Sequence, residues 1–389
     1  MAGTPGTPSV LRVMNDRAAL DLLVAHGPLT RTRIGELTGL SKPTTSQILG
    51  RLEAAGLVRT TGSQTGRPGP NATLYEIDPG ATHVAGLSAD PTGLTAVVAD
   101  ITGTERGRCR VEAHALADDV PHRTARLVAE AVDGALEQAG LGHDDLTATV
   151  IGTPGAIDPR TGELRYAPHL PGWHSRTLHA ELAEVLGTPV SIENDVNLAA
   201  VAEQYEGAAQ DHDDFVLAYV DEGVGAAIVL NGTLLRGATG GAGEIGYMPL
   251  PGAPLARGGT GAYAREDAGG GFQSLVASPA VRQLAGGVED LSAAFAVDGV
   301  LDEVARRLAT GLAAIVAVVD PELVVLSGQV AQAGGDALRA RVEEELTGLA
   351  LPRPLLRISE LDGDPILTGA LRSALTQARA TVFDTSRTT

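Results

Sequence analysis

The spacing of apolar residues over the first eighty positions predicts three helices followed by a hairpin. Residues 15–28 place leucines at helical spacing, and this pattern stops at Gly27. A shorter helix is predicted from Thr30 to Gly39, and a third helix after Ser41, a residue suited to cap it. The segments LVRTT and ATLYEI then flank a tip rich in Gly and Pro, which is typical of a β-hairpin. This order of elements predicts a winged helix-turn-helix.

The third helix divides into an apolar face and a polar face. Its inward positions are Thr45, Ile48, Leu49 and Leu52, and its candidate DNA-binding residues are Lys42, Pro43, Thr44, Ser46, Gln47 and Arg51. Gln47 has the donor and acceptor that can read an adenine edge, and Lys42 suits a phosphate or a guanine. Arg67, at the predicted hairpin tip, suits a minor groove or a phosphate. A helix of this kind on its own is more often a solvated polar face, and the hairpin after it favours DNA binding.

From about residue 82 onward, strands and helices alternate in a pattern that occurs twice. HVAGLSA, LTAVVADIT and RGRCRVEAH are typical of strands, and helices at 121–139, 176–186 and from 197 alternate with the strands LTATVIGTPG and PVSIEND. The series restarts with FVLAYVDEG, GAAIVLNGT and LLRG, and helices are predicted at 301–318, 336–347 and from 366. Two successive β-β-β-α-β-α-β-α units predict a duplicated α/β fold with a cleft between its lobes.

Charge is distributed unevenly along the chain. The formal net charge is −19, but the first 70 residues carry eight Arg and Lys against four Asp and Glu, a balance of +4. The remainder therefore carries −23. A small basic module joined to a large acidic body is the asymmetry expected when one end of a protein meets DNA.

Composition predicts a cytoplasmic protein with more than one domain. The sequence has no run of 18 apolar residues and no basic leader before an apolar segment, so neither a membrane span nor a signal peptide is predicted. The single thiol, Cys109, cannot form an internal disulfide. We predict a disordered N-terminus at residues 1–10, a DNA-binding module at 11–80 and a body at 81–389.

Several stretches of the body resemble the signatures of the ROK family. In chain order they are IGTPGAID with TGELRYAPHLPGW, ENDVNLAAVAE, GVGAAIVLNGTLLRGATGGAGEIGY and DPELVVLSG. That family groups sugar kinases with sugar-responsive repressors, and in its repressor branch a winged helix-turn-helix precedes the body. The resemblance covers about residues 82–383. It implies an α/β fold in which an N-terminal winged helix-turn-helix is followed by a two-lobed actin-like/hexokinase-like (ribonuclease H-like) ROK domain.

The resemblance also shows where this sequence departs from the family's kinases, which bind ATP phosphates in two glycine-rich turns. In the first turn Ser88 replaces an aspartate, and Asp90 and Pro91 replace glycines. In the second turn Asp221 and Glu222 add carboxylates. Phosphoryl transfer depends on neutralising phosphate charge, so these carboxylates predict a protein that is not an enzyme, with no catalytic residue and no cofactor.

The sugar-binding side of the family's cleft is better preserved. The resemblance assigns effector binding to Thr153, Gly155, His169, Asn194, Asp195, Glu244 and Tyr247. In kinase relatives the aspartate of END takes a proton from the sugar and the asparagine beside it binds a second hydroxyl, and Asn194 and Asp195 keep both groups. The alternative role of these two residues is a helix cap, which does not exclude ligand binding.

The family's zinc site is missing from this sequence. The zinc-binding histidine corresponds to Tyr247, and three cysteines correspond to Leu255, Arg257 and Ala262. Tetrahedral zinc sites use Cys, His, Asp or Glu, so no metal is predicted.

Three hypotheses about function remain open. The first is a transcription regulator, a repressor, that binds a double-stranded DNA operator as a homodimer or homotetramer and responds to a sugar-like effector. It predicts a protein without a membrane anchor, on the bacterial nucleoid when bound. The second is a sugar kinase with an accessory DNA-binding domain, against which the altered phosphate turns argue. The third is a regulator with a vestigial cleft, against which Asn194, Asp195 and Glu244 argue.

Overall fold

A small N-terminal module and a larger two-lobed body make up the fold. The structure is a computed structural model that describes residues 8–64, 72–90, 92–112, 123–158, 160–161, 164–165, 173, 177–255 and 270–384. Every helix within these ranges falls short of the length or the apolar character that crossing a bilayer requires.

The N-terminal module is the predicted winged helix-turn-helix. Its elements are α1 (Pro8–His26), β1 (Leu29–Thr30), α2 (Arg31–Thr38), α3 (Lys42–Ala54), β2 (Val58–Gln64) and β3 (Ala72–Ile77), with the strands in the order β1-β3-β2. Thr30 and Ser41 cap α2 and α3 as predicted, and Gly39 ends α2 in a left-handed conformation. Helix α1 begins at Pro8, so the prediction of disorder over residues 1–10 is wrong for residues 8–10. Residues 1–7 lie outside the described ranges.

The apolar face of α3 forms the centre of this module. Its four predicted inward positions are buried, and the three aliphatic ones pack with Leu20 and Leu23 of α1 and with Ile34 of α2. Two residues of the body, Ile101 and Phe383, belong to the same buried cluster. The DNA-binding module and the body are therefore joined by a shared core as well as by the chain that connects them.

The first lobe of the body is built on a five-stranded mixed sheet. Its elements are β4 (His83–Asp90), β5 (Gly93–Asp100), β6 (Glu105–Glu112), α4 (Arg123–Ala139), β7 (Leu146–Thr153), β8 (Ala156–Ile157), β9 (Leu164–Arg165), α5 (Leu178–Leu186), β10 (Val190–Asn194) and α6 (Asp195–Glu206). The sheet order is β10-β7-β4-β5-β6: β4, β5 and β6 form an antiparallel meander, and β7 and β10 join it in parallel. Strands β4 and β5 are almost wholly buried, as expected for strands covered on both faces.

The second lobe repeats this plan, which confirms the predicted duplication. Its elements are β11 (Phe215–Val220), β12 (Val224–Leu230), β13 (Thr233–Leu234), α7 (Gln273–Val276), α8 (Ser278–Leu284), α9 (Leu291–Phe295), α10 (Val300–Val319), β14 (Leu323–Ser327), α11 (Gln329–Leu349), β15 (Leu355–Ile358) and α12 (Pro365–Val382). The sheet order β13-β12-β11-β14-β15 matches that of the first lobe, strand for strand. The short helices α7, α8 and α9 were not predicted.

Helix α12 follows the second lobe in sequence but packs on the sheet of the first lobe. A Cβ added to Gly152 of β7 would lie 2.5 Å from Ile366 Cγ2 of α12. Where α12 crosses α6, a Cβ added to Gly369 would lie 1.9 Å from the carbonyl oxygen of Leu198. The missing side chains at these glycines let α12 lie directly against β7 and α6.

Candidate DNA-binding and effector sites

Helix α3 presents to solvent the polar residues predicted to bind DNA. Lys42, Pro43 and Gln47 are exposed, and Thr44 and Ser46 are half-buried. The cap fixes the N-terminal end of the helix, because the Ser41 hydroxyl accepts the Thr44 backbone N–H and lies 2.8 Å from the Thr44 hydroxyl. Thr44 is therefore engaged in the cap, whereas Lys42 and Gln47 extend the exposed face.

Arg31, in the first turn of α2, adds a positive charge to this face that the sequence pattern did not identify. Its Nη1 donates to the Ser46 hydroxyl at 3.0 Å, and that hydroxyl donates to the Lys42 carbonyl oxygen at 3.0 Å. Ser46 therefore supports a guanidinium group beside the recognition helix. The only signal in the sequence was the presence of arginines at the start of the short second helix.

Arg51 ties the recognition helix to α1. Its Nη2 lies 2.5 Å from Asp16 Oδ1, and the Asp16 side chain is only 2% exposed. Breaking such a pair would leave a buried charge without compensation, which is strongly destabilising. The ion pair gives Arg51 a structural role, and its role in DNA binding stays a prediction. Arg67, predicted at the hairpin tip, lies outside the described ranges.

The END motif stands where β10 of the first lobe turns into α6. Asn194 caps α6 by accepting the Asn197 backbone N–H at 3.0 Å, and its Nδ2 donates to the Gly155 carbonyl oxygen and to Asp195 Oδ1, each at 3.0 Å. Parallel pairing of β10 with β7 places Thr153 opposite Asn194. The structure thus brings together four of the predicted effector residues, and the capping role coexists with this clustering. His169 lies outside the described ranges.

Glu244 approaches Asp195 from the second lobe. It precedes a 3-10 turn (Ile245–Tyr247), and the turn is fixed to β12 because the Gly243 carbonyl oxygen accepts the Ala226 N–H at 2.8 Å. Gly243 has a φ of 94°, and a Cβ there would lie 1.9 Å from the Ala226 carbonyl oxygen, so only glycine fits. The half-buried Tyr247 belongs to the same turn. The backbone therefore places Glu244 and Tyr247 rigidly beside the sheet edge.

The carboxylates of the two lobes influence one another's protonation. Burial raises the pKa of Glu244 to about 7, and the charge of Asp195 adds to the shift. Burial likewise raises the pKa of Asp195 to about 6, against hydrogen bonds that lower it, and the charge of Asp221 raises it further. Burial and the charges of Asp221 and Asp195 raise the pKa of Tyr219 as well. Asp195 of the first lobe and Tyr219, Asp221 and Glu244 of the second are therefore close enough for their charges to interact.

An ion pair across the lobes borders this cleft and was also missed by sequence reasoning. Arg236, which follows β13, lies 2.7 Å from Glu193 Oε2 of β10. Glu193 Oε1 accepts the Asn197 side-chain amide at 2.8 Å. The pair links the second lobe to the strand that carries the END motif.

Comparison with protein-family models agrees with this architecture. A model described as the ROK family matches residues 86–358, and a model described as the MarR family matches residues 15–67. The chain belongs to the ROK family. The predicted resemblance is confirmed, and a MarR-type DNA-binding module precedes the ROK body in this protein.

Relatives of this ROK protein include both enzymes and regulators. It is 28% identical over 311 residues to a glucokinase of Thermotoga maritima, an alignment that covers 73% of this chain and 90% of the relative. It is 25% identical over 240 residues to the xylose repressor of Bacillus spizizenii, covering 62% of this chain and 61% of that repressor. It is 26% identical over 249 residues to the DNA-binding transcriptional dual regulator NagC of Escherichia coli, covering 63% and 59%.

Solved structures confirm the predicted fold class. A ROK family transcriptional regulator described as a homologue of the E. coli MLC protein has a TM-score of 0.73 and 21% identity, over 97% of this chain and 99% of that chain. The ROK hexokinase of Thermus thermophilus has a TM-score of 0.63 and 30% identity, over 77% of this chain and 100% of that chain. The first shares the fold of nearly the whole chain, module and body together.

The first phosphate turn of this ROK protein is closed by its own carboxylate. Asp90 Oδ1 accepts the backbone N–H groups of Thr92 and Gly93 at 2.6 and 2.9 Å, and the Thr92 hydroxyl at 2.5 Å. A phosphate held by a turn needs such backbone donors. Here the donors already bind an anionic group of the protein. Pro91 lies outside the described ranges.

The second phosphate turn is satisfied in the same way. Asp221 accepts the backbone N–H of Glu222 at 2.9 Å and that of Gln329, at the start of α11, at 3.4 Å. Glu222 is itself paired with Arg282 at 2.8 Å. Both turns therefore direct their donors at protein carboxylates.

At the family's zinc positions, the described residues are Tyr247 and Leu255, and Leu255 is 59% exposed. Arg257 and Ala262 lie outside the described ranges. Within the part of the chain that the structure describes, no group of three or more His, Cys, Asp or Glu side chains is arranged to hold a metal ion.

Replacing Glu244 with glutamine is expected to stabilise the protein at alkaline pH. The pKa of about 7 means that the folded protein keeps a proton that the unfolded chain loses above its ordinary value of 4.5. The ionised carboxylate therefore lowers stability as the pH rises through this window. Glu244→Gln should raise the free energy of unfolding at pH 8 by about 1 kcal/mol or more, and much less at pH 5.

Denaturant titration at pH 5 and pH 8 measures this change in the free energy of unfolding. Glu303→Gln serves as a control for which a change of opposite sign is expected. Arg306 and Arg307 hold the pKa of Glu303 at about 2, so its ionised form stabilises the fold. Glu303→Gln should therefore lower stability at pH 8. An equal effect of Glu244→Gln at pH 5 and pH 8 would contradict the assignment of Glu244 to a buried, acidic cleft.

Proposed function

We propose that this ROK protein is a transcription regulator, a repressor, that binds operator DNA through its N-terminal module and senses a small sugar or related polyol in the cleft. Repressors for xylose and N-acetylglucosamine are among its relatives. The observation that carries the proposal is the continuous path of packed residues from the cleft to the DNA-binding module. We place the boundary between the two modules at the linker, residues 79–81.

The exposed face of α3 supports DNA binding. Lys42 and Gln47 project from it, and Arg31 contributes a second cation through its hydrogen bond to Ser46. A helix with polar donors and cations on one face suits the major groove. One such module makes few contacts, so we propose that a homodimer or homotetramer binds a pseudo-palindromic site in the cytoplasm, on the nucleoid.

The cleft supports binding of hydroxyl groups. Asn194, Asp195 and Glu244 provide an amide and two carboxyls from opposite lobes, with Thr153 and Gly155 beside them. Convergent donors and acceptors of this kind fix the hydroxyls of a polyol. A ligand that contacts both lobes would hold them in one relative placement.

The phosphate turns support a role without catalysis. Glucokinases are among the relatives, but Asp90 and Asp221 accept the backbone donors that a nucleotide phosphate would need. A phosphate would have to displace a carboxylate and then lie beside its charge. We therefore propose that the body binds its effector and does not phosphorylate it.

Helix α12 supports a route from effector to DNA. At its N-terminal end, Asp364 caps α12 by accepting the N–H groups of Ile366 and Leu367 at 3.0 Å, and its charge adds to the effect of burial, which raises the pKa of Tyr219. The helix has 18 residues and so spans roughly 27 Å. At its far end, Arg17 of α1 donates to the Arg379 carbonyl oxygen at 3.1 Å.

The far end of α12 is anchored in the shared core. Arg379 donates to the Ile101 carbonyl oxygen at 2.8 Å, and the Arg17 guanidinium lies 5.3 Å from the centre of the Phe383 ring. A shift of α12 against the first lobe would therefore move α1 and the module with it. An effector changes DNA binding through such a path only if it binds two conformations of the protein with unequal affinity.

Gln47→Ala is expected to weaken binding to the cognate operator by about 1–3 kcal/mol, because it removes a side chain that can read a base edge. The operator is obtained by selecting random duplexes with the full chain, and affinity is measured by fluorescence anisotropy. Gln210→Ala, an exposed glutamine of the body, serves as the control and should bind like the wild type. Unchanged affinity of Gln47→Ala for the selected duplex would show that another surface reads the DNA.

No ATP-dependent phosphorylation of hexoses is expected, because both phosphate turns already bind carboxylates. Coupled enzyme assays and calorimetry with ATP and magnesium at millimolar concentration test this, with the Thermotoga maritima glucokinase as a positive control. Turnover clearly above background that Asp195→Asn abolishes would establish a kinase instead.

Arg17→Gln is expected to uncouple effector binding from DNA binding, because it removes the contacts of α1 with Arg379 and Phe383. The effector is first identified by a thermal-shift screen of sugars, sugar phosphates and aminocyclitols. Coupling in the wild type should be about 1–3 kcal/mol, and Arg17→Gln should reduce it while leaving the affinity for effector unchanged.

Arg339→Gln provides the matched control, since Arg339, like Arg17, forms ion pairs along its own helix but lies in α11. Its coupling should equal that of the wild type. Full coupling in Arg17→Gln would show that the signal reaches the module by another path.

A further inference from the structure

Gly50 lies at a position where none of the described residues requires a glycine. It lies inside α3, where glycine loses more backbone entropy on folding than alanine and so weakens the helix. Its backbone conformation is helical and does not require a positive φ. Among the described residues, a Cβ built on Gly50 meets no atom within 4 Å.

Three other glycines inside helices have an intramolecular explanation, whereas Gly348 of α11, like Gly50, has none among the described residues. A Cβ on Gly35 would lie 3.1 Å from Thr45 Oγ1, and one on Gly134 would lie 2.5 Å from Cys109 Sγ. A Cβ on Gly311 would lie 2.3 Å from the Phe272 ring. At each of these three glycines the missing side chain leaves room for a neighbouring side chain, whereas none of the described residues packs at Gly50.

Gly50 lies on the face of α3 that carries the candidate DNA contacts. It follows Ser46 by four residues and Gln47 by three, which places the three on one side of the helix. Arg31 reaches the same side through its bond to Ser46. The flanking Leu49 is buried and points into the module. The open space at Gly50 therefore faces outward, beside the residues that are proposed to meet DNA.

We infer that Gly50 is the point at which the α3 backbone comes closest to DNA, so that the DNA and not the protein excludes a side chain there. This inference rests on the proposed function. Without a Cβ at position 50 the helix axis can lie deeper in the groove, which lets Gln47, one turn earlier, reach a base edge. Gly50 is thus a positioning residue for DNA recognition.

Gly50→Ala distinguishes a role in DNA binding from a structural role, because the two predict changes in melting temperature of opposite sign. A structural glycine would lower the melting temperature when replaced, whereas a glycine required only by DNA would raise it. Alanine should raise the melting temperature by about 1–2 °C, since it strengthens the helix and its Cβ contacts none of the described residues. It should also weaken binding to the selected operator about tenfold, as overpacking at a close contact does. Gly50→Leu should weaken binding further.

Gly348→Ala is the matched control. Gly348 also lies in a helix, α11, and a Cβ there also meets no atom within 4 Å, but it belongs to the body. It should raise the melting temperature as well and leave DNA affinity unchanged.

The outcomes distinguish the inference from the proposed function. Wild-type DNA affinity in Gly50→Ala, or a lower melting temperature, would overturn the assignment of Gly50 and leave the regulator intact. If the full wild-type chain selects no duplex at all, the proposed function fails and the role of Gly50 fails with it.

Discussion

The close packing of α12 against α6 is the constraint on which the rest of the body depends. Gly369 brings the two helices together so tightly that a Cβ would lie 1.9 Å from the carbonyl oxygen of Leu198. Helix α6 begins at the cleft with Asp195, and Phe383, directly after α12, lies in the core of the DNA-binding module. Close-packed elements change between discrete arrangements and do not deform continuously. A rearrangement that moved α6 would therefore act on α12 and, through Phe383, on the core of the N-terminal module.

Some carboxylates of the body have their charge compensated by hydrogen bonds, and others are buried beside one another. Their surroundings determine whether each one stabilises or destabilises the fold. Asp90 accepts backbone N–H groups within its own turn, so its charge is compensated locally and the donors of the turn are occupied. Asp195 and Glu244 repel one another in a buried cleft, and burial raises the pKa of each. Such a pair lowers stability until a ligand donates hydrogen bonds to it. Stability is thus reduced at the pair where binding is proposed.

The sequence predicted what periodicity and motif order determine, and missed what depends on contacts between distant residues. The inward face of α3 was predicted fully, because helical spacing alone defines it. The two-residue strand β1 has too few positions to show a period. Arg31 and Ser46 meet only because α2 packs on α3. Helical spacing places Arg51 on the surface of α3, but it does not reveal that the buried Asp16 of α1 pairs with this arginine. Motif likeness located the END cluster, but its coupling to Glu244 required the folded lobes.

The uneven charge of the chain explains why moving the module would be enough to switch DNA binding. The first 70 residues carry +4 and the remainder −23, so the body repels a polyanion and the module alone attracts it. Cations of the body such as Arg106, Arg236 and Arg282 are paired with carboxylates of the protein. In the proposed dimer, affinity therefore depends on both modules reaching their half-sites at once. In this proposal a displacement carried by α12 to α1 would alter that spacing without changing any contact within a module, and a coupling of about 1–3 kcal/mol would change operator affinity about 5–150-fold.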